Sequence, residues 1–119
     1  MMDYRVEIIK EKINKEHLKD FLNNPFKEVI KFVVDIENNL IALGGELHSD
    51  TAEELIEQGS DNRNLWGGNF YPLKEKAEEK IEYTSLINIK PSQDSFSMDI
   101  ENKDIILKIN KVIEEFIEL

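Results

Sequence analysis

The sequence predicts an α+β fold: a two-layer sandwich of a mainly antiparallel sheet of about five strands and three helices, in the order βαββαββα. Residues 1–119 read as a single domain. Three observations carry this. Glu28 to Asp50 reads as a β-hairpin, two further stretches alternate apolar with polar residues, and the last seventeen or so positions carry a helical apolar stripe.

The hairpin fixes most of the sheet. Val, Ile and Phe dominate Val29 to Ile36, and Asn38-Asn39 is a turn pair that tolerates positive φ. With those two residues as the loop, Glu37 faces Leu40, Ile36 faces Ile41, Val34 faces Leu43, Phe32 faces Gly45 and Ile30 faces Leu47. One face is then apolar on both strands. The other carries Lys31, Val33, Asp35, Ala42, Gly44, Glu46 and His48, with Lys31 opposite Glu46.

Taken in order, Tyr4, Val6 and Ile8 alternate with Arg5 and Glu7, which predicts a strand from about residue 3 to 9. Asn14 caps a short helix whose stripe is Leu18, Phe21 and Leu22, with Ile13 and Leu18 at hydrophobic-staple spacing. Asn23-Asn24-Pro25 stops it. His17, set among charges, reads as a surface histidine. After the hairpin, Asp50 with Glu53 makes a capping box for a helix that buries Ala52, Leu55 and Ile56 and stops at Gly59.

Asn64 to Pro72 reads as a strand flattened by Gly67 and Gly68, with Trp66 and Phe70 on one side and Asn69 and Tyr71 on the other. Ile81 to Lys90 alternates as a strand that Leu86 interrupts and Pro91 ends. Ser92 to Met98 is a polar loop with two large apolar residues, Phe96 and Met98. From about Asn102 to Glu118, Ile105, Ile106, Ile109, Val112, Ile113, Phe116 and Ile117 make a broad stripe that fits a sheet or a partner chain.

Composition narrows function. Hydrophobic residues at 40 % and charged residues at 34 % describe a soluble globular chain rather than a disordered one. A net charge of −10 repels phosphate backbones, so no nucleic-acid partner is expected. The absence of cysteine removes disulfides, thiolate metal sites and cysteine nucleophiles, and fits a cytoplasmic location. No signal peptide and no run near the ~20 apolar residues of a membrane span is visible.

Chemistry-bearing residues gather in three segments: Gly44 to Asp50, Asn62 to Tyr71, and Asn88 to Gln93. Adjacent glycines in the first two remove side chains and let backbone approach a ligand. The expected site is a shallow pocket with a glycine floor, bordered by Glu46, His48, Asp50, Trp66, Asn69, Tyr71, Asn88, Lys90, Ser92 and Gln93, for a small polar ligand. His48 is the candidate acid/base, with Glu46 or Asp50 as orienter. Glu46, His48 and Asp50 form an alternative metal set, thin beside an ordinary zinc site. No cofactor motif is present: there is no G-x-G-x-x-G, Walker lysine loop, H-E-x-x-H or G-x-S-x-G. The alternative to ligand binding is an interaction module or homodimer without catalytic activity.

Val34-Asp35-Ile36-Glu37, Leu40 through Asp50, Asn64 through Pro72 and Ile87 through Gln93 together resemble a family of small uncharacterised prokaryotic proteins, the domain of unknown function 5674. The resemblance spans nearly the whole chain in order. It implies a cytoplasmic stand-alone domain and supplies no reaction, cofactor or partner. Where that family tends to carry glycine and arginine after Pro-Ser-Gln, this chain has Asp94-Ser95-Phe96-Ser97-Met98, which speaks against an anion site built by this loop.

Overall fold

The computed structural model describes residues 5–119, so Tyr4 and the start of the predicted first strand lie outside the described residues. The elements are β1 (Val6–Ile9), α1 (Lys15–Lys19), β2 (Ile30–Asp35), β3 (Leu40–Gly44), α2 (His48–Glu57), β4 (Leu65–Phe70), β5 (Ile81–Glu82) and α3 (Lys103–Phe116). The strands form one antiparallel sheet in the order β1-β3-β2-β4-β5. The α+β class, the five strands, the three helices and their order are those the sequence predicts.

The lower face of the sheet is built by Ile30, Phe32 and Val34 of β2, Ile41 and Leu43 of β3, and Trp66 and Phe70 of β4. It packs on Ile109, Val112 and Ile113 of α3, joined by Leu18 and Phe21. Each fully buried side chain of this size stabilises the fold by roughly 1.5–3 kcal/mol. Asn102 caps α3 by accepting from the N–H groups of Asp104 (2.9 Å) and Ile105 (3.2 Å), and Asn14 caps α1 through His17 N–H at 2.8 Å. The layering is fuller than the two layers expected. On the upper face Val33, Ala42 and Leu65 are buried against Ala52 and Leu55 of α2, so a helix lies on each side of the sheet and the upper face is hydrophilic only toward β5.

The hairpin register differs from the predicted one by two residues: Phe32 faces Leu43, Val34 faces Ile41 and Asp35 faces Leu40. The cause is Asp35. Its carboxylate accepts from Glu37 N–H (3.0 Å), Asn38 N–H (2.9 Å) and the Asn38 amide (2.9 Å), and from Ser60 Oγ at 2.6 Å. This closes a four-residue turn in place of a two-residue one. A shift of two leaves every side chain on its predicted face and changes only its partner. Lys31 therefore faces Asn69 of β4, not Glu46.

Two further elements depart from the sequence reading. The chain leaves β3 at Gly44, whose φ of 96° and Gly45's 88° turn it away; a Cβ at Gly44 would lie 2.1 Å from the Arg5 carbonyl oxygen. Glu46 and His48 are thus not strand neighbours, and Asp50 is not the cap. The helix starts at His48, with Leu47 at the N-cap and no side-chain hydrogen bond there. Buried Thr51 donates to the Gly44 carbonyl at 2.6 Å, which ties the first turn to the end of β3 and would be lost if the helix began at Asp50. The predicted strand from Ile81 to Lys90 is a strand only at Ile81–Glu82, followed by 3₁₀ turns at Leu86–Asn88 and Pro91–Gln93. Beyond β5 the Asn88 side chain takes the place of a neighbouring strand: Gly67 N–H donates to Asn88 Oδ1 (2.8 Å), and Asn88 Nδ2 donates to Gly67 O (2.9 Å).

Candidate functional site

The glycines of β4 decide what can sit above the sheet. At Gly67 an added Cβ would lie 2.9 Å from Ser85 Cβ and 3.1 Å from His48 Cδ2. The vacancy over this strand is therefore filled from above by the first residue of α2 and by Ser85. His48 reaches down and places Nε2 2.7 Å from the Gly68 carbonyl oxygen. A carbonyl only accepts, so Nε2 carries the proton in this contact, and Nδ1 is left as an unprotonated acceptor when the ring is neutral. The Asn69 side chain is the ring's other polar neighbour.

Burial lowers the His48 pKa to about 4. Lys31 pushes the same way, while the Gly68 carbonyl, the Asn69 side chain and Glu82 partly oppose it. The ring is therefore neutral at pH 7. Lys31 itself is half-buried, and burial lowers its pKa against the pull of Glu82. Asn69, only 7 % exposed, donates from Nδ2 to Glu82 Oε1 at 2.8 Å. That contact fixes the amide's orientation and leaves buried Oδ1 without a hydrogen-bond partner. A buried polar atom left unpaired is uncommon, and each one calls for a reason.

These groups line a cavity of about 340 Å³ between the start of α2, β4 and the segment from Thr84 to Met98. Lys31, His48, Ser49, Asn69 and Thr84 supply its polar groups, and Leu47, Leu86 and Met98 form an apolar border. Of the residues the sequence singles out, His48 and Asn69 meet here. Tyr71 stands beside them, its hydroxyl donating to the same Glu82 Oε1 at 3.1 Å. Glu46 and Asp50 are exposed and do not join them. Among the described residues no three His, Asp or Glu side chains group closely enough to hold a metal ion, so the alternative Glu46, His48 and Asp50 set does not assemble.

Asn88 is placed differently from expectation. It is fully buried, its amide spent on Gly67 and on the Met98 carbonyl (3.0 Å), so it is a clamp under the cavity and not a ligand contact. Trp66, Lys90, Ser92 and Gln93 lie away from His48. Trp66 belongs to the lower-face core. Lys90 Nζ lies 5.2 Å from the Trp66 ring centre and donates to Asn62 O at 3.0 Å, and Gln93 Nε2 donates to Arg63 O at 2.9 Å. Ser92 is exposed. The three segments thus form two groups, not one site. Trp66 also borders a second cavity, of about 340 Å³, with Asp94, Phe96, Asp99 and Glu101, and its buried Nε1 has no partner.

Sequence reasoning missed Lys31, Leu47, Ser49, Thr84, Ser85, Leu86, Ile87 and Met98 as site residues. The signal for two of them was present: Leu86 breaks the alternation of its segment, and Met98 is apolar in a polar loop.

The model of one family, described as a protein of unknown function (DUF5674), matches residues 7–116. No curated protein and no solved structure matches the chain.

Proposed function

The chain belongs to the DUF5674 family, and we propose that it is a small-molecule binding domain whose ligand occupies the cavity under the first turn of α2. One observation supports this above the rest. Buried Asn69 Oδ1 has no hydrogen-bond donor, and it stands beside the neutral His48 ring and one cation, Lys31, in the same cavity. A fold with no use for that cavity would gain by pairing or replacing that atom. Binding is favoured over acid catalysis because a ring that titrates at about 4 carries no second, acidic proton at neutral pH. The reading needs no cofactor. A net charge of −10 supports the lack of a nucleic-acid partner, and the lack of cysteine fits a cytoplasmic setting. Among the described residues no helix is long and apolar enough to cross a membrane.

The test is a thermal-shift screen of small polar metabolites, nucleotides and metal salts, with hits mapped by backbone amide chemical shifts. Hits are expected to move the amides of Ser49, Thr84 and Met98 and to lose their effect in Asn69→Leu. Hits that leave those amides in place, or that stabilise Asn69→Leu equally, count against the site. A second reading, a homodimer or partner-docking module, draws on the exposure of Phe96 (71 %) and Leu86 (70 %). Sedimentation showing a dimer that Leu86→Glu dissociates would favour it.

A further inference from the structure

We infer that the ligand of this cavity is a small amphipathic carboxylate that carries a hydrogen-bond donor next to its carboxylate; the inference rests on the binding reading above and names its chemistry. Charge comes first. In a chain of net charge −10, the cavity is lined by one cation, Lys31, and by no carboxylate. Two acids stand just outside it and are already engaged: Glu82 accepts from Asn69 and Tyr71, and Asp99 accepts from Thr84.

The ten-residue helix α2 adds to this. It points its start at the cavity through Leu47, His48 and Ser49, and no side chain caps its first N–H groups. An uncapped helix start favours an anion. One lysine and one helix start match one negative charge. A phosphate or nucleotide site would carry more cations than this.

The second requirement comes from Asn69 and His48. Asn69 is more than nine-tenths buried, and its Oδ1, held in place by the Glu82 contact, lacks a donor. His48 Nδ1 is an acceptor because Gly68 holds the proton on Nε2. A plain anion would leave both acceptors facing like partial charge, so the ligand must bring an O–H or N–H beside its charge. The third requirement is the apolar border of Leu47, Leu86 and Met98, which are 57 %, 70 % and 41 % exposed and would cover a branched aliphatic tail.

Three probes separate these requirements: 2-hydroxy-4-methylpentanoate, 4-methylpentanoate and 2-hydroxy-4-methylpentanamide, each titrated into the full chain and followed by amide chemical shifts. The hydroxy acid is expected to bind about tenfold more tightly than either of the others, one lost charged or neutral hydrogen bond being of that order. Lys31→Met should weaken the hydroxy acid about tenfold and leave the amide unchanged, with the variant's melting curve checking that it folds. Equal affinity of acid and amide, or no effect of Lys31→Met, overturns the carboxylate. Equal affinity of hydroxy and deoxy acids overturns the donor. If the uncharged amide binds best and moves Ser49, Thr84 and Met98, or if no probe moves those amides, the ligand class fails; the binding reading fails only if the wider metabolite screen also leaves them in place.

Discussion

Acidification tests the burial of His48 directly. In the folded protein the ring titrates at about 4, against an ordinary 6.5, because burial disfavours its charged form and Lys31 adds repulsion. The unfolded chain takes up the proton at the higher pH and so binds more protons than the folded one between those values. Stability from this group is therefore complete above 6.5 and is lost as the pH falls toward about 4. At roughly 1.4 kcal/mol per pH unit, the loss is about 3 kcal/mol. Urea unfolding at stepped pH, on the wild type and on His48→Gln, isolates it, because Gln can donate to the Gly68 carbonyl and cannot titrate. The stability difference between wild type and variant should fall by about 3 kcal/mol across that window. Carboxyls held below their usual range titrate in both proteins and cancel. Asp35 is one, where bonds from Ser60, Asn38 and Glu37 outweigh burial, and Glu7 beside Arg5 is another. Parallel pH curves for the two proteins, or an NMR titration of His48 centred near 6.5, would refute the reasoning.

Three other substitutions follow from the same geometry. Asn88→Ala removes three hydrogen bonds at once, two of them buried, and should destabilise by about 3–5 kcal/mol in chemical denaturation, with Gly67 N–H gaining fast hydrogen exchange. Gly68→Ala puts a Cβ 2.5 Å from both the Glu82 carbonyl oxygen and the Phe32 ring; a loss of more than about 2 kcal/mol is expected, and a neutral result by thermal melting would show that the strand has slack. Asp35→Ala frees the four-residue turn and the Ser60 hydroxyl, and should lower stability by about 2 kcal/mol while broadening the amide resonances of Glu37 and Asn38.

The elements that periodicity governs were legible in the sequence. The faces of β2, β3 and β4 follow from alternation, and the cap at Asn14 and the start of the last helix near Asn102 lie next to stripes that name their helices. What escaped was set by single side chains reaching across the chain. Asp35 moved the register by two through hydrogen bonds that span three residues, where a pairing rule sees only an Asn-Asn turn. Thr51 started α2 early by bonding Gly44, seven positions back. Asn88 ended strand pairing by presenting an amide with a backbone's donor and acceptor, so its polarity marked a fastener and not a ligand contact. His48 and Asn69 were legible as a pair because both sit by glycines. Alternation already set Trp66 on the side opposite Asn69; Lys90 was not separable from them, since nothing in its segment's pattern shows that it reaches back to Asn62.

The two glycines in the middle of β4 leave the sheet with a window one peptide thick. On one side the His48 imidazole hangs from the Gly68 carbonyl; on the other the Phe32 ring, stacked on Phe70 at 4.4 Å, fills the space that a Gly68 side chain would take. Elsewhere in the sheet two rows of side chains insulate the helices from each other. Here any push on the imidazole by an incoming molecule has only bare main chain between it and the aromatic heart of the opposite layer. Occupancy above should thus be audible below, as ring-current shifts at Phe32 and Phe70 without any change in the backbone path.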